Sequence, residues 1–146
     1  MFSGEAVNSK PIKNHTDLYP TASDVFKHLI DQLIALSSDG WIHFYGLKKD
    51  AWVEVANDRD YLLLNLSYPF KKDIDRVFQE AGVFVPGIWD LKRCSPRRLG
   101  GLVGGSAVYS IPQNQSSELI AFIDNLFVKF YACGQDYPVT GYSVNL

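Results

Sequence analysis

Three short segments between Trp41 and Tyr68 alternate in polarity and constrain the fold more than any other part of the chain. The polar clusters 48–50 and 57–60 separate them, and clusters of this kind are typical of turns. Connections this short favour an antiparallel meander. The predicted strands cover residues 41–45, 51–56 and 61–68.

Strand alternation divides these side chains between two faces of the predicted sheet. One face is apolar and is predicted to face the core: Ile42, Phe44, Val53, Val55, Leu62, Leu64 and Leu66. The opposite face carries Trp41, His43, Tyr45, Trp52, Glu54, Tyr61, Leu63 and Asn65. That second face is too aromatic for a plain solvent face.

Aromatic residues are enriched in protein interfaces, so the second face is a candidate partner-binding surface. The residues predicted to bind a partner there are Trp41, Tyr45, Trp52 and Tyr61. Two alternatives are equally compatible with the pattern. The C-terminal tail could pack over these residues, or they could be scattered and exposed singly, as apolar surface residues often are.

Three helices are predicted from apolar periodicity. The first begins at Thr21 and ends before Gly40, the second covers 71–81, and the third covers 118–131. The first and third carry wide apolar arcs, whereas the second carries a narrow stripe and is otherwise charged. We therefore expect the first and third helices on the core face of the sheet, leaving the second helix and the tail for the aromatic face.

The region between the second and third helices contains the remaining strands and a basic segment. Extended structure is predicted around 83–85 and 88–91, a polar, basic loop at 92–98, and a fifth strand at 106–111. The glycine-rich run 100–105 indicates either a hairpin or an anion-binding loop, and a hairpin is favoured because no helix start follows. Arg93, Arg97 and Arg98 are predicted to contact an acidic group of a partner, since guanidinium groups match carboxylates.

The predicted fold class is α+β, a mostly antiparallel five-stranded sheet with helices in the order α-β-β-β-α-β-β-α. A chain of 146 residues suits one domain. We expect a flexible N-terminal arm over 1–20 and a single domain over 21–146, with an irregular tail from about residue 134.

Composition and motif spacing exclude several functional classes. A net charge of -2 and a pI of about 5.8 do not favour nucleic acid as a partner. No apolar run approaches the roughly 20 residues of a membrane span, and two cysteines are too few for a disulfide scaffold, so a cytoplasmic location is expected. Histidines and cysteines lack metal-ligand spacing, and no catalytic motif occurs. No metal, no cofactor and no enzymatic activity are therefore expected.

The inferred element order and size resemble the type III secretion chaperone-like family and its broader bacterial relatives. The resemblance covers about Thr21 to Cys133. It is carried by the apolar first helix before Trp41-Ile42-His43-Phe44, the 52–56 strand, the passage from Asn65-Leu66 to Phe70, and the closing 119–131 helix. It implies a small cytosolic protein, often a dimer, that binds protein segments without a cofactor. The longer tail and the glycine-rich hairpin depart from that pattern.

The leading functional prediction is therefore a non-enzymatic, chaperone-like protein-binding module that acts as a homodimer on a protein partner. An alternative is an immunity- or antitoxin-type inhibitor, which is also small, acidic and non-catalytic. A third hypothesis, from another class, is a small anionic-ligand binder or an enzyme that uses the Arg93 to Gly105 region.

Overall fold

The structure is a computed structural model that describes residues 10–13, 21–36, 40–46, 50–69, 73–99, 102–134, 137 and 140–144. Its strands are β1 Lys10–Lys13, β2 Trp41–Tyr45, β3 Trp52–Asp58, β4 Tyr61–Tyr68, β5 Asp90–Leu99, β6 Leu102–Pro112 and β7 Thr140–Val144. Its α-helices are α1 Ala22–Leu36, α2 Ile74–Ala81 and α3 Ser116–Asn125. A 3₁₀ turn at Gln113–Gln115 precedes α3, and a π-helical turn at Leu126–Phe130 extends it.

The strands form one antiparallel sheet in the order β1-β7-β2-β3-β4-β6-β5. The predicted α+β class, the five strands β2 to β6 and their order with the helices are confirmed, but the fourth of these strands begins at Asp90 and not at the predicted residues 83–85. Two further strands, β1 and β7, pair with each other and extend the sheet beyond β2. They lie in segments for which the sequence predicts an arm and an irregular tail. Short strands paired through their backbone need no apolar alternation, so the sequence pattern did not indicate them.

The helix ends follow local capping chemistry. The Asp24 backbone N–H donates to Thr21 Oγ1, and the Thr21 N–H donates to Asp24 Oδ2, both at 3.2 Å, which fixes the start of α1. Helix α2 begins at Ile74 rather than at the predicted residue 71, because Asp73 has an extended backbone with ψ 127. Gly82 ends α2 in the left-handed region with φ 74, where glycine is favoured.

The core face of the sheet is the one that strand alternation predicts. All seven of its predicted side chains are 0% exposed: Ile42, Phe44, Val53, Val55, Leu62, Leu64 and Leu66. Helices α1 and α3 pack on this face, as predicted, through Phe26 and Leu119 among others. The Phe26 ring meets Phe44 of β2 with centroids 4.7 Å apart, which ties α1 directly to the sheet.

Helix α2 also packs on the core face, so its predicted place on the aromatic face is wrong. The Phe78 ring lies 5.8 Å from Phe122 of α3, 4.9 Å from Phe130 and 6.5 Å from Tyr109, centroid to centroid. Tyr109 is opposite Leu64 in the sheet register and therefore points to the core. The narrow apolar stripe buries Ile74, Val77 and Phe78, and the Phe78 ring packs among other aromatic rings.

The predicted basic loop at 92–98 is instead part of strand β5, which pairs with β6 and forms one edge of the sheet. The sequence pattern was misleading because Lys, Arg and Pro are common in loops and also commonly occupy edge strands. Leu99 is paired with Leu102, so β5 and β6 form a hairpin around residues 100–101, which lie outside the described part. This agrees with the favoured alternative for the glycine-rich run. None of the described helices is long and apolar enough to cross a membrane.

Candidate functional site

The predicted aromatic binding residues share the outer face of the sheet but do not form one patch. Tyr45 is directly opposite Trp52, whereas Trp41 lies at the other end of β2. Tyr61 lies at the start of β4 and is 47% exposed. Trp41, Tyr45 and Trp52 are only half-buried. The structure therefore brings together Tyr45 and Trp52, while Trp41 and Tyr61 are separate from them.

The predicted arginine contacts lie along the sheet edge formed by β5. Arg93 is opposite Val108 and is exposed. Arg97 and Arg98 are opposite Gly104 and Val103 in the same ladder, and their side chains lie outside the described part. Within Asp90–Leu99 the sequence holds four basic residues and one acidic residue, so this edge is positively charged.

The segment that leads into β5 presents three of the four large, exposed apolar side chains in the described part of the chain. Phe84 is 85% exposed and Ile88 is 61% exposed, and Leu91 at the start of β5 is 43% exposed. Soluble proteins tolerate single exposed apolar residues, but three within eight residues beside an open sheet edge are unusual. This cluster, Phe84, Ile88 and Leu91, is called the apolar edge cluster below.

Two buried anchors hold the segment that carries the apolar edge cluster. Val83 is 3% exposed, and its N–H donates to the Phe78 carbonyl at 2.9 Å. Trp89 is 5% exposed, packs edge-on against Phe122 at 5.0 Å, and donates from Nε1 to Gln115 Oε1 at 3.2 Å. Phe84 and Ile88 are thus exposed on a backbone fixed on both sides, so their exposure is built into the fold.

A tight turn aims Ile88 away from the body. The Trp89 N–H donates to the Pro86 carbonyl at 3.0 Å, which closes a β-turn with Gly87 and Ile88 at its centre. Because Trp89 points into the core, the preceding residue at the turn is directed outward. The sequence signal for this turn was Pro86-Gly87, but exposure of its neighbours depends on the anchors, which the sequence does not locate.

Strand β5 also carries features that discourage pairing with another strand. A register shift occurs between Leu91 and Arg93, and Pro96 has no N–H to donate. Among the described residues, β6 is the only strand paired with β5. A partner at this edge would therefore bind mainly through side chains, with apolar contacts to the edge cluster and acidic groups near Lys92 and Arg93.

The exposed Cys94 lies on the same strand, opposite Ala107. Burial, followed by a hydrogen bond with the Cys94 thiol, raises the pKa of the Tyr68 phenol. Among the residues that the structure describes, no three His, Cys, Asp or Glu side chains converge as metal ligands would.

Comparisons of the chain with protein-family models, with curated proteins and with solved structures find no match.

Proposed function

We propose that the protein is a non-enzymatic protein-binding module whose contact surface is the apolar edge cluster together with the basic side chains of β5. The observation that carries this proposal is the display of Phe84 and Ile88 on a segment anchored by Val83 and Trp89. A fixed apolar surface binds at low entropic cost, because little ordering is needed on association.

The charge of the edge selects the kind of partner. Arg93 is exposed, and among the described residues no salt bridge involves it. Lys92 and Asp90 are 3.5 Å apart, but both are largely exposed and so contribute little to each other. Two copies of this positively charged edge would repel each other. We therefore assign the surface to a different protein that presents an apolar group flanked by Asp or Glu.

The chaperone-like role and the homodimer predicted from the sequence belong to the same proposal. A homodimer would form through another surface of the protein, leaving this edge for the client. Sedimentation equilibrium of the wild-type chain measures the dimer directly. The identity of the captured partner separates a client of a chaperone from the target of an inhibitor.

The binding test replaces the two most exposed members of the edge cluster together. The double variant Phe84→Ser, Ile88→Ser is expected to lose a partner that the wild-type chain captures from the native cell extract. Each exposed anchor of an interface can contribute about 2 kcal/mol or more, or roughly 30-fold in affinity. Folding should change by only about 0.5 kcal/mol, because neither side chain is buried.

The matched control is Tyr61→Ser, which removes an exposed aromatic side chain from β4, a strand that β6 separates from β5. It is expected to retain the partner. With the purified partner, Arg93→Glu should weaken binding, and higher salt should weaken wild-type binding through screening. Equal capture of the partner by the double variant and the wild type would refute the proposed surface. If the wild type sediments as a dimer and the double variant as a monomer, the surface binds a second copy of the chain instead.

A further inference from the structure

A row of polar side chains crosses the outer face of the sheet, opposite the core. His43 of β2 is paired with Glu54 of β3, and Glu54 is paired with Asn65 of β4. Beyond Asn65 the same register reaches the apolar Val108 of β6 and then Arg93 of β5. The three described helices all pack on the other face, so none of them covers this row.

Glu54 is buried although it belongs to the outer face. Its side chain is 3% exposed, and its Oε1 lies 2.6 Å from His43 Nδ1. Its second oxygen, Oε2, is buried and has no hydrogen-bond partner among the described residues. A carboxylate with one oxygen bound and the other unsatisfied is costly, since an unpaired buried polar atom costs about 1–3 kcal/mol, and more when it is charged.

Asn65 repeats the same deficiency on the neighbouring strand. It is 6% exposed, and its Oδ1 is buried with no partner in the described part of the chain. Directly opposed side chains have Cβ atoms about 4.5–5.5 Å apart, so the two free acceptors belong to one site. Two acceptors cannot satisfy each other while the carboxylate is ionised. The two acceptors therefore lack hydrogen-bond donors in the described part of the chain.

Aromatic rings lie beside His43, the residue that contacts the Glu54 carboxylate. The His43 ring stacks on Trp52 with centroids 5.8 Å apart and planes at 17°, and the Tyr45 ring lies 5.5 Å from His43. Aromatic faces next to a carboxylate attract organic cations, because the ring quadrupole presents negative charge. An ammonium or guanidinium group supplies both the positive charge and the several N–H donors that the site lacks.

We propose that the outer face binds a protonated amine or guanidinium group, with Glu54 Oε2 and Asn65 Oδ1 accepting its hydrogen bonds beside the Trp52 ring. The group belongs either to a free organic cation such as a polyamine or to a Lys or Arg side chain of a bound protein. This site is on a different surface from the apolar edge cluster, and its existence does not depend on the proposed function. His43 holds the carboxylate in place by occupying Oε1.

The test titrates the folded chain at neutral pH with n-butylammonium and methylguanidinium, with n-butanol as the uncharged probe. We expect saturable shifts of the Asn65 side-chain amide and the Trp52 indole N–H in ¹H–¹⁵N NMR spectra, and none with n-butanol. Glu54→Gln should weaken binding at least tenfold while keeping an acceptor for His43. Glu80→Gln, which removes an exposed carboxylate from α2, should leave affinity unchanged.

Asn65→Ala provides a second variant in case Glu54→Gln does not fold, and it too should weaken binding. Spermidine and N-acetyl-arginine amide then distinguish the two sources: tighter binding of spermidine assigns the site to a free polyamine, and tighter binding of the capped arginine assigns it to a partner's side chain. Either result supports the cation site. Shifts that do not saturate, equal shifts with n-butanol, or full affinity in both variants would overturn it and leave a bound water as the missing donor.

Discussion

Replacing Phe26 by alanine is expected to lower the free energy of unfolding by about 3–5 kcal/mol. Phe26 is 0% exposed and touches three parts of the fold. Its ring lies 4.7 Å from Phe44 of β2, 6.0 Å from Phe127 of the π-helical turn and 6.5 Å from Tyr137. Its removal leaves a cavity bordered by several elements, so no single element can move in to fill it.

Equilibrium urea denaturation measures this loss, and Phe84→Ala is the matched control. The chemical change is the same, but Phe84 is 85% exposed, so its free energy of unfolding should change by only about 0.5 kcal/mol. Leu33→Ala and Phe122→Ala, also in the core, should each cost about 2–5 kcal/mol. Similar losses in Phe26→Ala and Phe84→Ala would show that the core is misassigned.

Stability is expected to fall steeply with rising pH above about pH 10. Burial raises the pKa of the phenols of Tyr68, Tyr109, Tyr131 and Tyr137 above the usual value. For Tyr137, a hydrogen bond donated to Asp124 Oδ1 at 2.8 Å adds to the effect of burial. In the unfolded chain these phenols lose their protons near pH 10, whereas in the folded protein they keep them.

The direction follows from proton counting. Above pH 10 the unfolded state binds fewer protons than the folded state, so the free energy of unfolding decreases as pH rises. Below pH 10 the contribution is fully present. Each phenol adds a slope of about 1.4 kcal/mol per pH unit, and the four together add roughly 5 kcal/mol per pH unit.

Urea denaturation at a series of pH values from 8 upward measures the slope. Tyr137→Phe removes one of the four phenols and should reduce the slope by about 1.4 kcal/mol per pH unit. Tyr61→Phe removes an exposed phenol and is the control, with the slope expected to remain. A Tyr137→Phe variant that loses stability as steeply as the wild type would contradict the assignment of Tyr137 as a buried, proton-retaining phenol.

Local periodicity was sufficient to predict the faces of the meander and the extent of the long helices. Because side chains alternate along a strand, Ile42, Phe44 and Val53 had to share one face once the strands were recognised. The capping pair Thr21 and Asp24 likewise determines the start of α1 from neighbouring residues alone. These features depend on residues close together in the sequence, so the sequence carries them directly.

The position of α2, the pairing of β1 with β7 and the edge position of β5 were decided by the tertiary structure. Each depends on contacts between residues far apart in the chain, such as Phe78 with Phe130 or Lys10 with Ser143. A charged segment such as 92–98 satisfies the requirements of a loop and of an edge strand equally well, and only its pairing with β6 distinguishes them.

For the apolar edge cluster and for the Glu54 and Asn65 site, the sequence likewise determined some features and the tertiary structure determined others. The sequence placed Glu54 and Asn65 on the aromatic face and gave β5 its basic residues, because residue identity and strand alternation are local properties. Only the strand register aligned His43, Glu54 and Asn65 in one row, and only the burial of Val83 and Trp89 left Phe84 and Ile88 exposed. Register and burial arise from the packing of the whole chain, which sequence periodicity alone does not specify.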